Sequence, residues 1–469
     1  MTSRIVFWFA LWFAFFYGFV SAAAAAPATM RLDYYHTGNA KQELFSMDRV
    51  VLEPLPWAGN PQHMTDDTDL GNYRFRVQDR ATGQVLYSRG FGSIYGEWVT
   101  TEEAQSLTRT FSESVRFPAP AAPVHVVIEK REQGMFHPVW THDIDPKDKF
   151  IDSARPSSPG PVIELQKMGD PAHKVDLLIL GDGYTAAERG KFESDAHRLL
   201  DVLFATSPFK EHRQDFNVWG LCPPAAESGI SRPSTGIHRR SPVGATYDTF
   251  DSERYVLTTE NRTLRDIASF APYDVLEIVF NGQTYGGGGI FNLYATVAAD
   301  SEWAPYVFVH EFGHHFAALA DEYYTSDVAY SPSIQRTEPW EPNVTALLDP
   351  ASLKWKDLVS AGTPLPTPWK KKEFEDYEHD IQSRRRAIRA ANRPEAEMNA
   401  LFHEEKERED QLLASDQFAG KVGAFEGANY EAHGYYRPEE NCIMFTRHTS
   451  FCAVCRRAIE RMIATYAGS

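Results

Sequence analysis

The sequence predicts a small β-sandwich followed by an α/β (α+β) domain with a mixed sheet and one buried helix. Three observations lead to this fold class. Residues 30–128 contain short alternating or β-branched runs, punctuated by Gly, Pro, Asn and Asp. Residues 163–299 instead alternate apolar strands with helical spacing. A stretch rich in Pro, Ser and Asp separates these patterns, so we expect the sandwich over 27–145, a linker over 146–162 and the second domain over 163–469.

The first residues are typical of a secretory signal peptide. Arg4 is the only charge before the apolar residues 5–20, and the small-residue run 22–26 follows. An uncleaved anchor stays open, because residues 5–26 are long enough to span a bilayer. The alanine run that ends at Pro27 favours cleavage. We therefore expect residues 1–26 to be a signal peptide and the mature chain to be secreted or periplasmic, without stable membrane association.

Composition and cysteine content narrow the class of protein further. The 469 residues include 43% hydrophobic and 13% aromatic side chains, as in a folded globular chain. The formal net charge of -17 disfavours nucleic acid as a partner. In an oxidising compartment we expect one disulfide among Cys442, Cys452 and Cys455. Alternatively, Cys452-x-x-Cys455 is half of a metal site, although a zinc site of four cysteines would need a second such pair.

The second domain is predicted element by element. Nearly continuous apolar runs predict buried strands at three places: residues 175–180, 216–219 and 275–280. Helical spacing over 186–204 places a helix between the first two strands. Residues 370–413 are dense in charged helix formers and are interrupted by Pro394, which predicts an inserted hairpin of two charged helices over 368–415.

The clearest chemical pattern is His310-Glu311-Phe312-Gly313-His314. On a helix, His310 and His314 lie on one face within about 6 Å, so both imidazoles can bind one zinc ion. Zinc lowers the pKa of a bound water towards about 7, and Glu311 can accept the proton. This is the chemistry of the H-E-x-x-H pattern, and the apolar approach over 304–309 argues against a chance match.

A catalytic zinc ion needs a third protein ligand when water takes the fourth position. Asp321 is the predicted ligand, and Glu322 is the next candidate. An unbroken helix would raise Asp321 about 10 Å above His314. The helix must therefore end and turn back within 317–320, although no Gly or Pro lies there. Three other histidines are weaker candidates: His315, His433 and His448.

With these residues in place, the chain resembles the IgA-peptidase family of zinc metallopeptidases (peptidase family M64), which is placed among the metzincins. The resemblance covers 175–464 without the charged insert, and residues 27–145 resemble the accessory domain that often precedes this catalytic domain. The matching motifs are GDGYT at 181–185, FNVW at 216–219, YGGGG at 285–289, HEFGH at 310–314, LADEYY at 319–324, FEGA at 425–428, YRP at 436–438 and CIM at 442–444. The resemblance implies a metzincin-like catalytic fold.

The resemblance also implies a methionine turn beneath the zinc ion, a place that Met444 fills, and a closing helix over 451–466. The chain departs from the metzincin pattern at one point. That pattern has Gly seven residues and a ligand ten residues after the first His, and Ala317 and Ala320 occupy those positions here. Asp321 comes one residue later.

Four glycines at 286–289 precede an apolar run and indicate an edge strand beside the site. We expect Gly288, Gly289 and Ile290 to pair with an extended substrate, because glycine lets another backbone approach closely. A flexible loop is the alternative.

Together these residues predict a secreted zinc-dependent endopeptidase that acts on a protein or peptide substrate. Zn²⁺, held by His310, His314 and Asp321, polarises the scissile carbonyl. Glu311 deprotonates the water and then protonates the leaving amine, and Tyr436 helps stabilise the oxyanion. Two alternatives stay open: an extracellular binding or adhesion protein with a structural zinc ion, and an amidase that acts on cell-wall peptides. The sequence identifies neither the substrate nor the oligomeric state.

Overall fold

The structure, a computed structural model, describes residues 26–326, 328–329 and 336–468. The predicted signal peptide over 1–26 lies outside these ranges, apart from Ala26. Within the described ranges, no helix combines the length and the hydrophobicity needed to cross a membrane.

The N-terminal part consists of seven strands and one short helix. They are β1 (Ala28–Asn39), β2 (Gln42–Pro56), β3 (Tyr73–Asp79), β4 (Val85–Phe91), α1 (Ile94–Trp98), β5 (Arg109–Pro118), β6 (Val124–Glu132) and β7 (Met135–Ile144). Two antiparallel sheets form, with the strand orders β2-β1-β5 and β4-β3-β6-β7. Alternate side chains of both sheets share one core, for example Leu32 and Phe117 from the first sheet and Phe75 and Val126 from the second. Two sheets that share a core in this way form a sandwich.

The next part is a mixed sheet with helices. Its elements are β8 (Ile163–Gln166), β9 (Val175–Asp182), α2 (Arg189–Leu203), β10 (Phe216–Leu221), α3 (Asn261–Ala268), β11 (Val275–Phe280), β12 (Gly287–Ile290), β13 (Tyr294–Ala298) and α4 (Ala304–Ala317). The strand order is β12-β13-β11-β9-β10-β8; the four central strands are parallel, and both edge strands are antiparallel. The mixed α/β arrangement is thus confirmed, and the three predicted apolar strands are β9, β10 and β11.

Both faces of this sheet are covered, which explains the continuous apolar runs of its strands. On β9, Leu177 and Ile179 pack with side chains of α2 and α4, whereas Leu178 and Leu180 pack with α3 and α1. The N-terminal sandwich therefore lies against the α3 face. Its buried Arg31 donates to Asp266 on α3 at 2.5 Å, which ties the two parts together.

The C-terminal part supplies the charged hairpin and the closing helix. Its elements are α5 (Lys371–Ala390), α6 (Glu395–Ala414), β14 (Phe425–Ala428), β15 (Glu431–Arg437) and α7 (Ala453–Tyr466). Pro394 lies between α5 and α6, as the helix break predicts. Although the sequence of this hairpin is mostly charged, the hairpin has an apolar stripe on one side. Phe374, Ile381 and Phe402 belong to this stripe and are buried in the same core as α4 and α7.

The predicted disulfide among the three C-terminal cysteines is wrong. All four cysteines are free thiols. The sulfur atoms of Cys442 and Cys455 lie 3.8 Å apart. A disulfide would require about 2.05 Å.

A carboxylate pair at the start of β9 gives the fold a pH dependence. Asp274 Oδ2 accepts from the backbone N–H of the buried Asp176 at 3.0 Å. Burial and then the charge of Asp176 raise the pKa of Asp274 to about 8, and burial raises the pKa of Asp176 to about 6. Both values exceed the unfolded value of about 4, so the folded chain holds protons that the unfolded chain has released. The resulting stabilisation is fully present below about pH 4 and is lost as the pH rises through these folded values.

We expect Asp274→Asn to flatten this pH dependence, because Asn keeps the accepting oxygen but carries no charge. As the pH rises from 5 to 8.5, the unfolding free energy of the variant should increase by about 1–2 kcal/mol relative to that of the unmodified chain. This is less than the full pKa shift implies, because solvent screens part of the shift. Urea unfolding at the two pH values measures the difference. A difference between the two proteins that does not change with pH would contradict the expectation.

Candidate metal centre and cleft

Helix α4 presents His310 and His314 on one face, and their Nε2 atoms lie 3.1 Å apart. Asp321 joins them after the helix has ended. Its Oδ1 lies 3.0 Å from His310 Nε2 and 3.3 Å from His314 Nε2. The structure therefore brings the three ligands expected from the sequence to one point, with geometry that could hold a metal ion.

Backbone carbonyls fix which imidazole nitrogens face this point. His310 Nδ1 donates to the Ile443 carbonyl at 3.0 Å, and His314 Nδ1 donates to the Leu319 carbonyl at 2.5 Å. Because a carbonyl only accepts, the Nδ1 atoms carry the protons and both Nε2 atoms present lone pairs. Asp321 Oδ1 is buried and has no hydrogen-bond partner among the described residues. Three hydrogen-bond acceptors therefore converge at one point with no hydrogen-bond donor between them. This set of ligand atoms fits a cation such as zinc.

The electrostatics of the site favour positive charge. Burial lowers the pKa of His314, but the negative charge of Asp321 outweighs it and raises that pKa to about 9. Burial raises the pKa of Asp321, but the imidazoles of His314 and His310 outweigh it and hold that pKa well below its ordinary value. A proton or a metal ion between these groups is therefore stabilised.

The chain returns to the metal-binding face through a left-handed residue. Helix α4 ends at Ala317, and Ala318 has φ 56° and ψ 31°. Its N–H bonds back to the His314 carbonyl at 3.1 Å. The metzincin pattern has Gly at the position of Ala317 and a ligand at that of Ala320. Here the left-handed residue is Ala318 and the expected ligand is Asp321, each one residue later than in that pattern. The turn is therefore made by an alanine rather than by Gly or Pro.

We expect Ala318→Gly to stabilise the folded chain by about 1 kcal/mol, because glycine adopts positive φ without a Cβ clash. Ala318→Val should destabilise the chain and weaken zinc binding, since a β-branched residue is an outlier at positive φ and Asp321 follows three residues later. Urea unfolding and zinc titration measure the two effects. Equal stability of the Gly and Val variants would contradict this role for Ala318.

Glu311 lies beside the ligands in a cavity of about 390 Å³ that His310, His314 and Asp321 also line. Burial raises the pKa of Glu311, and the neighbouring imidazoles oppose that rise. The other walls come from both parts of the chain, with Gly92, Glu97 and Thr100 on the N-terminal side and Arg254, Tyr323, Trp340 and Tyr435 on the other.

The remaining candidate ligands lie elsewhere. His315 donates through Nδ1 to the Ile290 carbonyl and accepts through Nε2 from the Leu276 N–H, both at 3.0 Å. Burial lowers its pKa to about 3, so this neutral ring ties α4 to β11 and β12. Glu322 points towards Cys455. His433 lies beside Glu426, and His448 lies near Asp410.

Met444 lies against α4 at Gly313. A Cβ on Gly313 would meet Met444 Sδ at 3.2 Å, so glycine lets the two segments pack closely. The preceding Ile443 carbonyl orients His310, and the Met444 carbonyl accepts from the Glu322 N–H at 2.8 Å. This short segment therefore supports one imidazole and the chain that follows Asp321.

Sequence reasoning missed Tyr430, whose hydroxyl donates to Asp321 Oδ2 at 2.6 Å. It lies in the two-residue turn between β14 and β15, where Asn429 and Tyr430 have φ 54° and 64°. Positive φ at both central positions is typical of a type I′ hairpin turn, in which Asn is favoured at the first of them. Tyr436 lies farther along β15, opposite Glu426, and is not among the described residues that line the cavity.

Strand β12 is the sheet edge beside α4. A Cβ on Gly289 would lie 2.4 Å from the Glu311 carbonyl oxygen, so the close approach of the helix requires glycine there. The outward N–H and C=O of Gly287 bond to the 254–256 segment at 3.1 Å. By the period of the ladder, Gly289 presents its N–H and C=O on the same edge. Gly288 and Gly289 line the cavity, whereas Ile290 is buried in the core below.

Comparison with known families gives two matches. The family model described as IgA Peptidase M64 matches residues 163–463, which include the candidate metal centre and most of the cleft. The model described as Peptidase M64 N-terminus matches residues 22–140, which include the sandwich strands up to β6 and part of β7. A search of the curated proteins found no match.

Proposed function

The chain belongs to the IgA peptidase M64 family and is thus a peptidase, and we propose that it is a secreted, zinc-dependent endopeptidase acting on protein or peptide substrates. One observation carries the zinc assignment. Two imidazole nitrogens and one carboxylate oxygen converge at 3.0–3.3 Å with their lone pairs facing one another. The convergence point borders a cleft, which favours a catalytic ion over a closed structural one.

In this proposal, His310, His314 and Asp321 would hold the ion, as the three protein ligands of a catalytic zinc site do. When bound, zinc polarises the scissile carbonyl and acidifies a water molecule. Glu311 accepts the proton of the attacking water and then delivers it to the leaving amine. Its place one residue after His310, on the wall of the cleft, suits both transfers.

Tyr323 is a better candidate than Tyr436 for stabilising the oxyanion. Its side chain lines the cleft, and its ring stacks near that of His310 with the centroids 6.4 Å apart. Arg254 Nη2 donates to the Tyr323 hydroxyl at 3.2 Å. The hydroxyl proton is then free to point at developing negative charge in the substrate.

The substrate would bind as an extended chain along β12. The Gly289 backbone offers one N–H and one C=O to such a strand, and glycine carries no side chain of its own to obstruct the approach. Glu97 and Thr100 of the N-terminal part line the same cleft. We infer that this domain limits which side chains the cleft accepts.

Metal removal tests the proposal. We expect dialysis against a chelator to abolish cleavage of a proteome-derived peptide library, and zinc, but not magnesium, to restore it. Mass spectrometry of the products separates internal cleavage from terminal trimming, and a parallel assay on cell-wall peptides tests the amidase alternative. Unchanged cleavage after removal of the bound metal would refute the zinc mechanism.

A further inference from the structure

Three of the four cysteines meet one carboxylate in the core below α4. Cys442, Cys452, Cys455 and Glu322 are each at most 3% exposed. Their ligand atoms all lie within 4.8 Å of one another. Cys222 lies apart from this group, against Gly181.

Two of the distances between ligand atoms in this group match a tetrahedron around one metal ion. Cys442 Sγ lies 3.8 Å from Cys455 Sγ, and Cys455 Sγ lies 3.4 Å from Glu322 Oε1. Tetrahedral zinc, with Zn–S about 2.3 Å and Zn–O about 2.0 Å, separates two sulfurs by about 3.8 Å and a sulfur from an oxygen by about 3.5 Å.

Glu322 provides an independent observation. Its Oε1 accepts from Asn343 Nδ2 at 2.9 Å, which orients the carboxylate towards the sulfurs. Its Oε2 is buried and has no hydrogen-bond partner in the described part of the chain. A buried carboxylate with an unpartnered oxygen is destabilising unless a proton or a cation neutralises its charge. A disulfide between two of the thiols would leave the Glu322 carboxylate and the third thiol uncompensated, whereas one metal ion would engage all four side chains.

The start of α7 arranges the sulfurs. Cys452 is its N-cap and accepts from the Cys455 N–H at 3.4 Å, while Cys442 Sγ accepts from the Cys452 N–H at 3.3 Å. Backbone N–H groups at a helix N-terminus stabilise thiolates, which are the form that binds metal. The two-residue spacing between Cys452 and Cys455 is also the spacing found in structural zinc sites.

We propose that Cys442, Cys452, Cys455 and Glu322 bind a second zinc ion in a closed, structural site. Binding releases the three thiol protons to solvent, and the ion gains three thiolates and one carboxylate. The absence of a second Cys-x-x-Cys pair does not exclude the site, because Glu322 supplies the fourth ligand.

This site would hold the catalytic residues in position. Glu322 follows Asp321 directly, and Cys442 precedes the Ile443 carbonyl that orients His310. One ion would thus clamp both segments to α7. The four side chains are positioning residues, since they contact neither the cleft nor the proposed first zinc ion.

Zinc content of the purified full chain tests the proposal. We expect two zinc ions per chain in the unmodified protein, one in the double variant His310→Ala/His314→Ala, and one in Cys455→Ser. Cys222→Ser is the matched control, because Cys222 is also a buried free thiol, and it should keep both ions. A double variant that folds without zinc would overturn the proposal, whatever the outcome for catalysis.

Cobalt substitution makes the test independent of the folding of Cys455→Ser. In the double variant, Co²⁺ should give the intense near-ultraviolet absorption of thiolate-to-cobalt charge transfer, which nitrogen and oxygen ligands do not produce. Intact mass under denaturing, non-reducing conditions should show four free thiols. A missing absorption band would show that these cysteines stay as thiols without binding metal. A chain lighter by two hydrogens would show that they form a disulfide. Either result would contradict the proposal.

Discussion

Glu311→Gln is expected to lower kcat/KM for peptide cleavage by about 10²–10⁴-fold while zinc stays bound. Gln has nearly the shape of Glu but cannot accept the proton of the attacking water. The proposed ligands His310, His314 and Asp321 are unchanged, so metal content should be unchanged too. Steady-state kinetics on a fluorogenic peptide, together with zinc analysis of the same samples, measures both quantities.

Glu277→Gln is the matched control for this experiment. Glu277 lies fully buried on β11, and burial and then the charge of Glu311 raise its pKa well above the ordinary value. This raised pKa favours the neutral form, for which Gln is a close substitute. Glu277 does not line the cleft, so activity should stay within a few fold of the unmodified chain. A Glu311→Gln variant as active as Glu277→Gln would exclude Glu311 as the general base.

Local patterns in the sequence were enough to predict much of the fold. The apolar run 175–180 predicts β9 because a strand buried on both faces needs nonpolar residues at every position. The spacing of His310 and His314 predicts their common face because a helix repeats every 3.6 residues. The break at Pro394 predicts the hairpin of α5 and α6. Each of these inferences depends only on neighbours within one element.

Features that depend on distant contacts could not be predicted in this way. Tyr430 reaches Asp321 from a hairpin more than a hundred residues later in the chain, and nothing near Tyr430 signals the contact. The same limit applies to Glu322, which looked like an alternative ligand for the first metal ion but faces Cys455. The N-terminal wall of the cleft likewise depends on how the sandwich packs against α3.

The position of Asp321 illustrates how local and distant effects combine. The metzincin pattern alone would have placed the ligand at Ala320, where no donor side chain exists. A left-handed Ala318 shifts the turn by one residue, and the Asn429 N–H then bonds to the Asp321 carbonyl at 3.0 Å. The hairpin between β14 and β15 therefore holds the chain in the shifted register.

Asp321→Asn is expected to weaken zinc binding at the first site by more than about 100-fold, beyond the usual effect of altering a neighbour of a ligand. The substitution removes the only negative charge among the three ligands and leaves the size of the side chain unchanged. Peptide cleavage should fall in parallel and recover in part at high zinc concentration. Competition with a fluorescent chelator measures the affinity, and thermal unfolding checks that the chain still folds.

Tyr430→Phe provides the graded comparison, because it removes one hydrogen bond to Asp321 and leaves every ligand in place. Its zinc affinity should fall by about 10–100-fold, less than for Asp321→Asn. The double variant should bind zinc little more weakly than Asp321→Asn alone, since the Tyr430 hydroxyl donates to the Asp321 carboxylate. Independent, additive losses would mean that Asp321 is not the third ligand and that Tyr430 contacts the metal centre by another route.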